Sequence, residues 1–242
     1  MIELTINDLK YNLKSKFVDV PLSAYLAFMK YHNRIVNDEK EISSKIEKSG
    51  YEPTNEDVKK AMINMACAVS GFLEIDEEII FNIPIGEVKG YFDLLKRVPV
   101  AHKNLKAVYH FIISLIMTYE PPESVTDYEF SHTGEDGVIR NFTVGAWHHK
   151  KSDDLLISET IELMEIQRLA KKYETSESDD IRAQFTAKVT MLAVLCKEDD
   201  EVWPDTQSEI DALIEAKKAI FKNVNAKTML DVGFFLNGTF KV

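Results

Sequence analysis

The chain has 242 residues, of which 45% are hydrophobic and 29% charged, enough to bury a sizeable core as one large domain or two small ones. Its formal net charge is −11, from 40 acidic against 29 basic residues, and such a surface repels the phosphate backbone of nucleic acids. No run of about 18 apolar residues occurs, so we expect no membrane-spanning helix. The first residues also lack the basic and apolar regions of a secretion signal.

The N-terminal part of the sequence predicts a β-hairpin followed by a helix. Apolar and polar residues alternate within residues 2–18, and the turn-forming pair Asn7-Asp8 divides this stretch in two. Pro21 then opens a helix, at a position where its missing N–H group costs nothing. Residues 37–57 are charged and polar and contain a glycine and a proline, so we expect an exposed loop there.

The following segment predicts three helices. Thr54 and Asp57 resemble a capping box, and the helix that they start is expected to stop near Gly71. An acidic run at residues 76–78 suits the positive end of a short helix. Pro84 is expected to open the third helix. The positions of that helix predicted to face inward are Val88, Tyr91, Phe92 and Leu95.

Residues 102–119 contain neither glycine nor proline, and most of their second half is apolar. Periodicity does not distinguish a helix from a buried strand in this stretch, although its length favours a helix. Pro121-Pro122 ends the element in either case.

The second half of the chain predicts another hairpin and further helices. Two alternating runs flank a glycine-containing turn within residues 128–142. Residues 152–175 have the pattern of an amphipathic helix, and another helix is expected to run to about Cys196. Thr206 and Glu209 form a capping box for the next helix.

These elements predict an α+β fold that is mainly α-helical. We expect an N-terminal β-hairpin unit packed on helices, a mid-chain β-hairpin and a C-terminal helical bundle. Residues 1–120 and 121–242 are the predicted domains, with one continuous domain as the alternative.

The sequence shows no motif for catalysis, cofactor binding or metal binding. Neighbours such as His148-His149 point apart on a strand or helix, and the acidic run 199–201 lacks the spacing of a calcium loop. No glycine-rich phosphate loop or nucleophile elbow occurs. Cys67 and Cys196 lie among apolar neighbours and are expected to be buried thiols, with a disulfide between them as the alternative.

The C-terminal segment is rich in aromatic residues. Asn225 is predicted to cap the final helix, and Gly238 to end it. Because chain ends fray unless they are tied down, aromatic side chains there must dock on their own domain or on a partner. A tryptophan after the acidic run is a second candidate anchor, since Trp is favoured at interfaces. The predicted partner-binding residues are Trp203, Phe234, Phe235 and Phe240.

Several of these motifs together resemble a group of tailed-bacteriophage proteins that is similar to tail-assembly chaperones. The likeness spans most of the chain. The motifs that carry it are the hairpin leading into Val18-Asp19-Val20-Pro21, the stretch from Ser70-Gly71 to Ile83-Pro84-Ile85-Gly86-Glu87-Val88, the second hairpin with Thr143-Val144-Gly145, the apolar run Met191-Leu192-Ala193-Val194-Leu195, and the terminal Gly233-Phe234-Phe235.

The resemblance implies a non-enzymatic bacteriophage assembly or virion protein that acts through protein–protein interaction. The expected partner is the tape-measure protein or another tail or virion protein, in the host cytoplasm during phage assembly or in the virion. A structural component of the tail, baseplate or connector is the first alternative, and a homo-oligomer is left open. No nucleic acid, membrane, cofactor or metal is expected as a partner.

The second alternative is an enzyme whose site is assembled from residues far apart in the sequence. Such a hydrolase would use Cys67, or one of His102, His110 and His148 with acidic partners.

Overall fold

The computed structural model describes residues 2–6, 9–86, 88–96, 104–122, 128–144, 180–198 and 206–239, and the single positions 164, 201 and 204. Among these, only the backbone is described for residues 2–10, 12 and 234–239. The fold is α+β and mainly α-helical, as the sequence predicts. The chain divides into two compact units, Met1–Tyr119 and Glu120–Val242.

The described residues form five strands and eight α-helices. The strands are β1 (Ile2–Ile6), β2 (Leu9–Leu13), β3 (Tyr128–Thr133), β4 (Ile139–Val144) and β5 (Lys197–Glu198). The helices are α1 (Leu22–Ser49), α2 (Asn55–Leu73), α3 (Glu77–Phe81), α4 (Tyr91–Leu95), α5 (Leu105–Ile116), α6 (Ile181–Leu195), α7 (Gln207–Ile220) and α8 (Ala226–Thr239). Short 3-10 turns cover Phe17–Asp19 and Phe221–Asn223.

The predicted N-terminal hairpin is confirmed. β1 and β2 pair antiparallel, with Ile2 opposite Leu13 and Ile6 opposite Leu9. Leu13 is fully buried, and Tyr11 lies with Pro21 and Phe72 at a cleft of about 110 Å³, so the end of the hairpin packs on the helices of the first unit.

Helix α1 is longer than the sequence suggests, and the loop expected over 37–57 is wrong for its first thirteen positions. Ile35 and Ile42 are buried and continue the apolar stripe of the helix into its polar half, where the charged residues face solvent. The helix ends where Gly50 adopts a left-handed conformation with φ of 65°, and its N–H group donates to the carbonyl of Ile46.

Helix α2 begins at the predicted capping box, in which Thr54 and Asp57 exchange both hydrogen bonds. It ends at Leu73, near Gly71 as predicted, and Glu74 takes the left-handed position that ends it. Gly71 has a different role: a Cβ atom there would lie 2.7 Å from the Cβ of Ala27 on α1. The glycine therefore permits the close approach of α1 and α2.

Gly71→Ala is expected to lower the free energy of unfolding by about 1–2 kcal/mol, because the overpacking outweighs the gain in helix propensity. Gly233→Ala is the matched control. Gly233 is also helical, but a Cβ atom there meets nothing within 4 Å, so this change should stabilise by about 0.5–1 kcal/mol. Urea denaturation measures both values, and two effects of the same sign would contradict the role assigned to Gly71.

The helix predicted to open at Pro84 is wrong, because the described helix begins only at Tyr91. The carbonyl groups of Pro84 and Ile85 accept hydrogen bonds from the first N–H groups of α5, at 2.9 and 3.2 Å, and are not used within a helix of their own. Of the side chains expected to face inward, Tyr91 is buried, whereas Phe92 is 40% exposed. The undecided element in 102–119 is a helix, α5.

The core of the first unit contains a cluster of aromatic side chains around Tyr109. The rings of Phe28 and Tyr109 lie 5.5 Å apart, and Phe72 packs edge-on against Phe28. The hydroxyl of Tyr109 lies 2.8 Å from Nδ1 of His32, and burial holds the pKa of His32 below its usual value. A neutral imidazole accepts a hydrogen bond at one ring nitrogen, whereas a protonated imidazole does not.

Acidification below about pH 6.5 is therefore expected to destabilise the first unit. The imidazole of His32 takes up a proton near pH 6.5 in the unfolded chain, but only at a lower pH in the folded chain. Neutral His32 therefore contributes its full stabilisation of the folded state above about pH 6.5, and this stabilisation decreases as the pH falls. The measurement is urea denaturation at pH 7 and at pH 5.5. His32→Gln, which keeps an acceptor for Tyr109, should lose less stability over this interval; an equal loss would contradict the assignment.

The second unit contains the predicted hairpin of β3 and β4, which is confirmed, with Phe130 opposite Phe142. β5 extends the sheet, pairing its two residues with Phe142 and Thr143, and the sequence did not predict this strand. Phe221 packs on the inner face, 4.7 Å from the ring of Phe142. Apart from the exposed Ile139 at the start of β4, the outer face is polar, and it borders an open groove of about 580 Å³.

Helices α7 and α8 begin at the predicted caps. The side chain of Asn225 accepts a hydrogen bond from the N–H group of Thr228. The hydroxyl oxygen of Thr206 accepts one from the N–H group of Glu209, and the same hydroxyl donates to the Glu209 carboxylate. Helix α6 ends at Leu195 as expected and packs against α7 and α8. Helix α8 continues through Gly238, so the predicted stop there is wrong.

The amphipathic helix predicted for 152–175 lies outside the described residues, except for Met164, which is helical and exposed.

Candidate functional site

The predicted partner-binding residues are only partly described. Phe234 and Phe235 lie on α8, and their side chains are outside the described part of the structure, as are Trp203 and Phe240 entirely. Their role in binding stays a prediction.

The first half of α8 is firmly held within the second unit. Ala226, Met229 and Val232 are buried. The buried carboxylate of Asp231 accepts hydrogen bonds through Oδ2 from the hydroxyl of Tyr128, at 2.6 Å, and from Nζ of Lys227, at 2.5 Å. This anchoring fixes the helix one turn before the aromatic pair at 234–235.

The turn between β3 and β4, residues 134–140, is tightly braced, and we call it the hairpin tip. The guanidinium of Arg140 donates to both carboxylate oxygens of Asp136, at 2.6 and 3.1 Å, and the N–H group of Val138 donates to Oδ1 of the same carboxylate. These bonds, first of all that from Arg140, lower the pKa of Asp136 to about 2. Gly137 supplies the positive φ, 75°, that the turn requires.

The hairpin tip presents two apolar side chains to solvent. Val138 is 49% exposed and Ile139 is 70% exposed. A braced turn loses little conformational entropy when a partner binds, and adjacent exposed apolar groups gain from being covered. The sequence carries a signal for this surface, because two consecutive apolar residues at the start of an alternating strand must place one of them on the outer face.

A second feature lies in the first unit, where a cleft of about 90 Å³ opens among α1, α2 and α4. We call it the α1–α2–α4 cleft. Its lining carries three carboxylates and two ammonium groups, and hence one net negative charge. The lining residues are Asp38, Glu41, Ile42, Lys45, Asp57, Lys60 and Tyr91. No sequence signal indicated this cleft, because three separate elements contribute to it.

Most charged groups of the cleft are already paired. Nζ of Lys60 lies 2.7 Å from Oδ1 of Asp38, and Nζ of Lys45 lies 2.7 Å from a carboxylate oxygen of Glu41. The hydrogen bonds that the carboxylate of Asp57 accepts, from Tyr51 and Thr54, all end on Oδ2.

Two oxygen atoms of the cleft residues are buried without a hydrogen-bond partner: the hydroxyl of Tyr91 and Oδ2 of Asp38. Tyr91 is only 3% exposed. Burial, followed by the negative charges of Asp38, Glu39 and Asp57, raises the pKa of Tyr91 to about 12. Buried polar groups normally have a partner, so this pair of atoms is unusual.

The residues of the enzyme alternative do not form a recognisable site in the described part of the chain. Burial, with the charge of Glu77 and a hydrogen bond to it, raises the pKa of the Cys67 thiol to about 11, whereas a nucleophilic cysteine needs a lowered pKa. Nε2 of His110 is buried, 3.4 Å from the carbonyl oxygen of Leu94. His102 and His148 lie outside the described residues.

The expectation of buried thiols is confirmed, since Cys67 and Cys196 are both buried and neither forms a disulfide. Among the described residues, no group of three or more His, Cys, Asp or Glu side chains is placed to hold a metal ion. Within the same residues, none of the helices combines the length and the apolar character that a bilayer crossing requires.

Comparison with known proteins gives no significant match to a family model, to a curated protein or to a solved structure.

Proposed function

We propose that this protein is a non-enzymatic bacteriophage assembly or virion protein that acts through protein–protein interaction. Specifically, it is a tail-assembly chaperone-like protein that binds the tape-measure protein or another tail component, in the host cytoplasm during phage assembly. The motifs that resemble such proteins support the phage assignment, and the structure supplies a surface suited to binding.

The hairpin tip is the observation that carries the binding role. Its two exposed apolar side chains stand on a turn braced by the Asp136–Arg140 pair, and this combination suits an interface anchor. Further from the tip, the outer face of the same sheet carries polar side chains, those of Glu129, Ser131, Asn141 and Thr143. We place the contact with the tail protein at Val138 and Ile139, with Trp203, Phe234, Phe235 and Phe240 as further proposed contacts.

The test is co-expression with the tape-measure protein and the other tail proteins of the same phage, followed by affinity purification. Ile139→Ser is expected to weaken the complex by about 1–2 kcal/mol, roughly tenfold in Kd, because it removes an anchor side chain. The melting temperature should hardly change, since the side chain is 70% exposed.

Val18→Ser serves as the matched control, because Val18 is an exposed β-branched residue in the first unit, and this change should leave the complex intact. If the wild-type chain captures none of the tail proteins, the proposed function is wrong. If Val18→Ser and Ile139→Ser weaken the complex equally, the hairpin tip is not the contact. Recovery in a fixed copy number from purified virions would favour the structural component over the chaperone.

A further inference from the structure

The hairpin tip contains the sequence Asp136-Gly137, the only aspartate–glycine pair in the chain. The peptide bond of such a pair is chemically labile, because glycine has no Cβ atom to shield its nitrogen and adopts many backbone conformations. The glycine nitrogen can attack Cγ of the preceding carboxylic acid and close a five-membered succinimide ring. The side chain of Asp136 is 48% exposed, so burial does not prevent this reaction.

We propose that the hydrogen bonds from Arg140 to Asp136 protect the hairpin tip from conversion of Asp136 to isoaspartate. In that conversion the Gly137 nitrogen bonds to Cγ of Asp136, and one water leaves with the N–H proton and the carboxyl hydroxyl. A second water then opens the ring at the main-chain carbonyl carbon of Asp136 and breaks its bond to nitrogen. The main chain afterwards runs through the former side chain and is one methylene group longer, so the turn cannot keep its shape.

Arg140 acts on the electrophile of this reaction. Ring closure proceeds through the neutral carboxylic acid, since a carboxylate carbon resists attack by nitrogen. The guanidinium of Arg140 donates to the two carboxylate oxygens of Asp136 at 2.6 and 3.1 Å, which favours the ionised form. These bonds, followed by that from the N–H group of Val138, lower the pKa of Asp136 to about 2, so little of the reactive acid is present at neutral pH.

The turn also restrains the two atoms that must meet. The N–H group of Gly137 donates to the carbonyl oxygen of Gly134 at 3.0 Å, and this bond holds the proton that the reaction removes. The N–H group of Val138 donates to Oδ1 of Asp136 at 3.0 Å, so the carboxylate is fixed on the following residue. Together with the fork of Arg140, this bond opposes the rotation that brings Cγ to the Gly137 nitrogen.

Gly134 makes room for this arrangement. A Cβ atom at that position would lie 2.8 Å from Oδ1 of Asp136 and 3.3 Å from Nη1 of Arg140. A larger residue would therefore push the carboxylate away from the guanidinium while leaving both side chains in the sequence. The glycine thus offers a way to disturb the contact without changing either partner.

The experiment is incubation of the full chain at neutral pH, followed by peptide mapping with a mass-spectrometric readout of isoaspartate at residue 136. The folded wild-type chain is expected to react at least about tenfold more slowly than the same chain unfolded in urea. Arg140→Gln should speed the reaction of the folded chain by about three- to tenfold, a range that allows for solvent screening of an exposed pair. In urea the two chains should react at equal rates, because the hydrogen bonds are absent.

Two further variants separate geometry from charge. Gly134→Ala keeps Asp136 and Arg140 but displaces one from the other, so it should also speed the reaction of the folded chain. Lys222→Gln is the matched control: Nζ of Lys222 lies 3.8 Å from the carboxylate of Glu135, so the change removes a positive charge beside the tip without removing a donor to Asp136. Its rate should equal that of the wild type. The comparison of folded and unfolded wild-type chains needs no variant and stands even if a variant fails to fold.

Three results would overturn the proposal: a folded wild-type chain that reacts as fast as the unfolded one; unchanged rates in both Arg140→Gln and Gly134→Ala; or equal acceleration by Lys222→Gln and Arg140→Gln. All these rates are measured on the chain alone, without any tail protein. The protection of the tip and the proposed function therefore fail or hold independently.

Discussion

Lys217→Met is expected to lower the free energy of unfolding of the second unit by about 3–5 kcal/mol. The Lys217 side chain is 2% exposed, and its Nζ atom lies 2.7 and 2.8 Å from the two carboxylate oxygens of Glu201 and also donates to the carbonyl oxygen of Cys196. Without the ammonium group, the carboxylate of Glu201, itself 9% exposed, stays buried without its counter-charge. The measurement is urea denaturation followed by circular dichroism.

Lys218→Met is the matched control for this prediction. Lys218 is the next residue on α7 and pairs with Glu215 at 2.7 Å, but its partner is 69% exposed. Solvent screens such a pair, so we expect a change of less than about 1 kcal/mol.

The double variant Lys217→Met, Glu201→Met tests the cause. Replacing both charges by apolar groups should recover much of the lost stability, because no buried charge is left unpaired. If the double variant is less stable than Lys217→Met alone, the loss came from packing and not from the unpaired carboxylate.

Phe142→Ala should have an effect of similar size, about 3–5 kcal/mol, because it removes the centre of the aromatic core of the second unit. Phe142 is fully buried, stacks on Phe130 at 5.6 Å and packs against Phe221 at 4.7 Å. A cavity in this place cannot close easily, since its walls are rings fixed by a strand pair and by a 3-10 turn. Thermal or urea unfolding measures the loss.

Ile139→Ala, on the same strand, is the control for Phe142→Ala. Its side chain is 70% exposed, so we expect a change within about 0.5 kcal/mol. A loss below about 1 kcal/mol for Phe142→Ala would mean that the aromatic cluster is not the core of this unit.

The sequence predicts the hairpin that carries the tip, but neither the side-chain contacts within the tip nor the α1–α2–α4 cleft. The hairpin within 128–142 was evident from alternation around a glycine-containing turn. The bracing of its tip depends on the side chains of Asp136 and Arg140 meeting across the turn, which their residue types permit but do not dictate. The α1–α2–α4 cleft has no sequence signature, because Asp38, Asp57 and Tyr91 meet only when three helices pack.

The errors in the fold have the same origin. The composition of residues 37–49 is typical of a loop. These residues nevertheless belong to α1, because the buried side chain of Ile42 continues the apolar side of that helix. Gly71 indicates the nearby helix end correctly, but the sequence does not show that Ala27 of the neighbouring helix comes close to it. Local residue preferences do not show either feature, because both depend on burial and on packing between helices.

The sequence by itself determined the features that depend on neighbouring residues: the caps at Thr54 and Asn225, the two hairpins and the mainly α-helical α+β class. A side chain and the backbone groups three or four residues away decide such features, so they can be inferred from neighbouring residues. Only the tertiary structure decided the length of α1, the added strand β5 and the unpartnered atoms of Tyr91 and Asp38. These depend on burial, which is set by residues far along the chain, and no local pattern reports what they will cover.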